Sequence, residues 1–203
     1  MNPIIISAAK FESEPLVNGL QQRGHTPEML LTGVGAIAAA KKARSVAEQC
    51  RGRDVIFVGT CGAFANFSRV YLIRAHEVLW SPTCERLKLA YTIKDTMPPI
   101  TLPEPPSYLT GIPSKKVLCS PGISLVGAVP DNLSTDSIVE NLELYSCIGE
   151  IMAQAQSLAV ILAVTNLVGS ESHLQWKQNF PLAAGMTAEF ITQRIDALQK
   201  DRK

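Results

Sequence analysis

Gly33-Val34-Gly35-Ala36-Ile37-Ala38 fits the G-x-G-x-x-G/A spacing by which a strand-to-helix turn holds a dinucleotide, with Asp54 at about the distance of the ribose-binding acid. The match fails on position. That acid stands at the C-terminal end of its strand, whereas Asp54 opens one and Thr60 occupies the far end, so no nicotinamide or flavin cofactor is expected. The two glycines still permit a tight turn that exposes backbone N–H groups at a helix start, which suits an anion or a polar ligand. Among the carboxylates, Glu12 at a helix start reads on its own as a surface acid favoured by the helix dipole. Glu143 differs, because Leu142-Glu143-Leu144-Tyr145 is too apolar for an exposed helix face, and a buried carboxylate must be paired. Asn166 ends an apolar run, and its amide can donate through NH₂ while accepting through C=O. Thr60-Cys61-Gly62 read as a strand-end turn, and Trp176 as an aromatic on a helix. The cysteines at 50, 61, 84, 119 and 147 are odd in number and widely separated among apolar residues. They suit reduced core thiols rather than a disulfide framework or a zinc site, and no metal is expected.

These residues need a scaffold. At 203 residues with 46% hydrophobic and 18% charged side chains, the chain reads as one domain over residues 1–203. A formal charge of +1 removes the electrostatic basis for binding nucleic acid or an anionic membrane and favours a small or neutral ligand. No stretch reaches the roughly 18 apolar residues of a membrane span, and the N-terminus meets Glu12 before a signal-type apolar region develops, so a cytoplasmic location is expected.

Short β-branched runs alternate with helical patterns, which predicts an α/β fold with helices covering a sheet. Strands are expected at 4–7, 29–32, 54–58 (stopped by Gly59 and Gly62), 70–80, 116–119 and 160–165. Helices are expected at 14–23, 36–49, 137–156 and 182–199. Six of the thirteen prolines fall between Pro98 and Pro113. The stretch of about 81–114 is therefore expected to be irregular, either an ordered loop or flap or a disordered segment, but neither a regular helix nor a central strand.

Five segments stand in order along the chain: Ala8-Ala9-Lys10-Phe11-Glu12-Ser13-Glu14-Pro15-Leu16, Val58-Gly59-Thr60-Cys61-Gly62-Ala63-Phe64, Val139-Glu140-Asn141-Leu142-Glu143, Val164-Thr165-Asn166-Leu167-Val168-Gly169 and Ser172-His173-Leu174-Gln175-Trp176. Together they resemble the purine nucleoside phosphorylase and nucleosidase superfamily. Within the superfamily they are nearest to the branch with futalosine hydrolase and methylthioadenosine/S-adenosylhomocysteine nucleosidase. The resemblance covers nearly the whole chain. It implies a three-layer α/β/α domain with a mixed central sheet, no cofactor, a small-molecule purine nucleoside as ligand, and a homo-oligomer of dimeric or larger size.

Residue by residue, the resemblance makes Glu12 the carboxylate that activates the attacking water and Glu143 the acceptor of the ribose hydroxyls, with Leu142 packed on the sugar. Thr60, Cys61 and Gly62 border base and sugar, and Trp176 stands near the 5′ end of the ligand. Asn166 replaces the Asp of adenine-specific members, as in relatives acting on 6-oxopurines. Its amide suits hypoxanthine or guanine, so a futalosine hydrolase-like release of a 6-oxopurine base is implied. His173 takes no role. Leu144-Tyr145 stands where small residues are usual, which is expected to fill or reshape the pocket floor. Two other readings stay open: phosphorolysis, with Arg69, Arg74 or Arg86 holding phosphate, and a catalytically weak nucleoside-binding member of the fold. Glu12 would repel phosphate, which favours hydrolysis.

Overall fold

Apolar alternation decides which helix each strand face meets. In β1 (Ile4–Ser7), Ile4 and Ile6 join one core cluster and Ile5 a second. The chain continues through α1 (Lys10–Gln22), β2 (Glu28–Leu31), α2 (Ala36–Gln49), β3 (Asp54–Ala63), β4 (Tyr71–Trp80) and the short α3 (Thr83–Arg86). It is completed by β5 (Ile100–Thr101), β6 (Ser114–Cys119), β7 (Ile138–Asn141), α4 (Leu144–Gln154), β8 (Ser157–Leu167) and α5 (Ser172–Lys200). The structure is a computed structural model and describes residues 2–91 and 96–200.

The strands form one mixed sheet of eight in the order β2-β1-β3-β7-β6-β4-β5, with β8 bonded to both β3 and β4. Successive pairings of β3 with β8, β8 with β4, β4 with β6, β6 with β7 and β7 with β3 close a ring. Along its other edge β3 changes partner. β1 pairs with residues 55–57, and β7 takes over only at Gly62 and Ala63, so residues 58–61 face an opening there.

Two helical layers cover the sheet. On one side Leu16 and Leu20 of α1 and Ile191 and Ile195 of α5 pack on Ile5, Ile56 and Ile161. On the other, Ala39, Ala43 and Ala47 of α2 let α4 approach, and its Leu144, Ile148 and Ile151 close over Ile4, Ile6, Phe57 and Val160. Each such aliphatic residue contributes about 1.5–3 kcal/mol by leaving water. The helix-covered sheet is what the alternating pattern predicts, and the mixed-sheet α/β/α layering is what the resemblance implies. Among the described residues no helix is long and apolar enough to cross a membrane.

Several elements depart from the sequence expectation. β3 runs through Gly59 and Gly62 to Ala63, because β8 pairs with it along that whole length. Residues 138–141 form a strand rather than the first turn of a long helix. Ile138 and Val139 are fully buried and stiff at χ1, and Val139 pairs with both Val117 and Ala63. The helix begins only at Leu144, where Asn141 Oδ1 accepts the N–H groups of Glu143 at 2.9 Å and Leu144 at 3.0 Å. α5 starts at Ser172 rather than at Leu182 and carries Pro181 in its interior. In the proline-rich stretch, α3, the edge strand β5 and a 3₁₀ turn over Ser107–Leu109 are formed, and 92–95 lie outside the described residues.

Candidate active site

A cavity of about 230 Å³ opens beside the end of β3, and Glu12, Thr60, Cys61, Gly62, Leu142, Glu143, Asn166 and Trp176 all line it. Glu12 sits in the first turn of α1 and folds back so that its Oε2 accepts the Ala9 N–H at 3.1 Å, a donor the helix leaves free. Its Oε1 receives the Thr60 hydroxyl at 3.5 Å, and Thr60 Oγ1 accepts the indole N–H of Trp176 at 3.1 Å. Burial, reinforced by the nearby Glu143 carboxylate, raises Glu12 from 4.5 to about 7. The hydrogen bonds from Ala9 and Thr60 pull the other way without cancelling that rise.

Glu143 lies in the turn between β7 and α4, and only 6% of it is exposed. Its Oε1 accepts the Gly35 N–H at 2.8 Å, and burial pushes its carboxyl above the usual range. Gly33 and Gly35, with φ of 87° and 85°, make the turn that aims this N–H. The glycine pair that mimics a dinucleotide fingerprint therefore holds a carboxylate of its own chain.

Asn166 is aimed by a bulge. Cys61 pairs with Val164 and Gly62 with Asn166, which leaves Thr165 as the extra residue in β8. The Thr165 hydroxyl donates to Asn166 Oδ1 at 2.9 Å, and Asn166 Nδ2 donates to the Leu167 carbonyl at 3.0 Å. One N–H and one lone pair of the amide remain for a ligand. A Cβ on Gly62 would lie 2.8 Å from Asn166 Nδ2, so the amide rests where only glycine leaves room.

An aromatic group forms the remaining wall. The Trp176 ring is 6.2 Å from Phe11 and 5.4 Å from Phe180, and His173 stacks on it at 5.6 Å with an interplanar angle of 13°. Phe11 and His173 also line the cavity. Cys61 is not a nucleophile here, because burial drives its thiol far up and keeps it neutral. Leu144 is fully buried in the core, and the Tyr145 hydroxyl reaches the Pro98 carbonyl at 2.9 Å. Neither lines the cavity, so the expected filling of its floor does not occur.

Sequence reasoning gave Glu140 and Asn141 no role. Asn141 Nδ2 donates to the Thr60 carbonyl at 3.1 Å, filling the open edge of β3 while its Oδ1 caps α4. An Asn three residues before a helix start is the signal that points to it. Glu140 also lines the cavity, but Arg86 Nη2 donates to its Oε1 at 2.6 Å, and Ser124 adds its N–H at 3.2 Å together with its hydroxyl. Arg86 is thus engaged, Arg74 pairs with Glu104 at 2.7 Å, and Arg69 is exposed away from the cavity. Among the described residues no lysine or arginine lines the cavity, and no cluster of three metal-ligating side chains is present.

No protein-family model matches the sequence, and no curated protein matches it significantly. Solved structures do match, over almost the whole chain. A futalosine hydrolase mutant of Helicobacter pylori is similar with a TM-score of 0.72 and 13% identity, covering 97% of this chain and 100% of that one. The Streptococcus pneumoniae MTA/SAH nucleosidase in complex with 8-aminoadenine gives 0.71 and 14%, covering 96% and 99%. The Campylobacter jejuni 5′-methylthioadenosine/S-adenosyl homocysteine nucleosidase gives 0.71 and 12%, covering 97% and 99%. With its ringed mixed sheet and flanking helices, the chain has the same fold as these solved nucleosidase and futalosine hydrolase structures.

Proposed function

We propose that this chain hydrolyses the N-ribosidic bond of a purine nucleoside, with a 6-oxopurine base as leaving group in the manner of a futalosine hydrolase. The observation that carries the reading is one cavity in which the buried Glu143 and the half-buried Glu12, neither with a cationic partner among the described residues, are joined by the Asn166 amide. Cleavage builds positive charge on the sugar and negative charge on the base, so groups that match that separation lower the barrier. Glu143 accepts the ribose hydroxyls through the oxygen not held by Gly35. Asn166 donates to the base as charge develops at N7 and O6. Glu12, at about 7, takes a proton from water near neutral pH, which is the range in which a general base works best. Thr60, Cys61, Gly62 and Leu142 border base and sugar, and Trp176 lies toward the 5′ end.

Water is favoured over phosphate because the carboxylates repel an anion and the described lining holds no lysine or arginine to balance it. The carboxylate set also speaks against a purely binding role. The reading includes a single domain over residues 1–203, a cytoplasmic homo-oligomer and no metal or cofactor.

The test is incubation with futalosine, inosine, guanosine, adenosine and methylthioadenosine, each with and without phosphate, followed by assay of free base. Release of hypoxanthine or guanine independent of phosphate is expected. Release of adenine alone overturns the assignment of Asn166, strict phosphate dependence overturns hydrolysis, and no release from any nucleoside overturns the enzymatic reading.

A further inference from the structure

Thr60 stands between a donor and an acid. Its Oγ1 accepts the indole N–H of Trp176 at 3.1 Å and faces Glu12 Oε1 at 3.5 Å. A hydroxyl carries one proton and two lone pairs, so it can meet a carboxyl group in two ways. It can donate to the carboxylate, which favours the charged form, or accept from the protonated acid, which favours the neutral one. An indole N–H only donates. By occupying a lone pair of Thr60 it polarises the O–H bond and biases the hydroxyl toward the first arrangement.

We infer that Trp176 is a positioning residue for Glu12: its N–H fixes the Thr60 hydroxyl as a donor to the Glu12 carboxylate and so holds Glu12 in the charged form that can accept a proton from water. The inference deepens the proposed reaction and rests on it for its consequence, but the Trp176–Thr60–Glu12 line is a property of the free protein. The ring is held by Phe11, Phe180 and His173, so the direction of its N–H is set by packing. Phenylalanine would keep most of that packing and lose only the donor, so the indole nitrogen has a function separable from the aromatic wall.

Other titratable groups around Glu12 do not replace it. On its own helix the exposed Lys10 and the half-buried Glu14 pair with each other at 3.2 Å. From the β7–α4 segment come Glu143, which disfavours charge on Glu12, and Glu140, which is paired with Arg86 of α3. From β3 comes the neutral Cys61 thiol, and from α5 comes His173, stacked on Trp176. Asp196 of α5 pairs with Arg23 and His25 beyond the other end of α1.

The experiment is a ¹³C NMR titration of glutamate side-chain carboxyls in the ligand-free protein, with the Glu12 signal assigned by its loss in Glu12→Gln. Trp176→Phe is expected to move the Glu12 midpoint upward by about half a pH unit, a modest shift because the Thr60 contact is long. Thr60→Val should move it at least as far, Trp176→Phe should add nothing in the Thr60→Val background, and Thr60→Ser should restore the wild-type midpoint. In unmutated protein the Trp176 indole proton should respond to pH with that same midpoint, a readout that survives if a variant fails to fold. An unchanged midpoint in Trp176→Phe, an undiminished further shift when Trp176→Phe is added to the Thr60→Val background, or an indole proton indifferent to Glu12 overturns the inference. No nucleoside enters this measurement, so loss of the proposed reaction and loss of this line are told apart.

Discussion

Glu140 and Glu143 stand three residues apart, both buried at the same cavity, and the fold treats them oppositely. Glu140 receives the Arg86 guanidinium at 2.6 Å and two donors from Ser124, while Arg86 also reaches the Ala128 carbonyl at 3.2 Å and lies 5.1 Å from the Phe64 ring centre. Glu143 and its neighbour across the cavity, Glu12, have hydrogen bonds but no ion pair among the described residues, and both are pushed up by burial. A buried carboxylate with a cation and filled lone pairs fixes architecture, here tying α3 and the loop at 120–128 to β7. A buried carboxylate left short of partners costs stability and gains reactivity, which is how a site keeps a base near neutral pH.

The comparison breaks at its widest point if Glu12 is not the reactive acid. Glu12→Gln is expected to lower nucleoside turnover by about 10² to 10⁴ while ligand binding persists, read by initial rates and calorimetry. On the paired side the effect should fall on folding. Arg86→Met strands the Glu140 charge and should destabilise the protein by about 3–5 kcal/mol in urea unfolding, whereas a near-zero change would remove the architectural role of this pair.

The unpaired side should show the reverse sign. Because folding raises Glu12 from 4.5 to about 7, the folded state holds the proton more tightly. Its cost to stability is absent well below pH 4.5, grows as pH rises and is complete above about 7. Glu12→Gln should therefore stabilise the chain by up to about 3 kcal/mol at pH 8 and by little at pH 4, measured as unfolding midpoints across pH. The smallest effect sharpens the geometry beside the base. Gly62→Ala places a methyl 2.8 Å from Asn166 Nδ2 and should cost roughly 1–3 kcal/mol with a rise in KM, checked by kinetics and thermal unfolding.

The succession of strands and helices was legible because it follows from local pattern: the apolar run at 4–7 is a buried strand, and the stretch at 36–49 is the helix that packs on it through its alanines. The strand at 138–141 was not, since Ile138-Val139 joins the helical spacing of the residues after it and becomes a strand only by pairing with β6 and β3. The site shows the same division. The family resemblance named the residues that line the cavity, but the cradle given to Glu143 by Gly35 and the engagement of Glu140 by Arg86 join segments more than fifty residues apart in sequence. No local pattern carries either contact. The bulge at Thr165 is hidden for a related reason, because an extra residue in one strand is visible only against the register of its partner.

The most direct test of the account is the rate of hypoxanthine release from inosine and futalosine in phosphate-free buffer, followed from pH 5 to pH 9 for the wild-type chain and Glu12→Gln side by side. The wild-type rate is expected to climb through about pH 7 as Glu12 loses its proton, and the Glu12→Gln rate to be lower by at least about 10²-fold with that climb gone. Equal rates and the same pH dependence in both proteins would contradict that expectation.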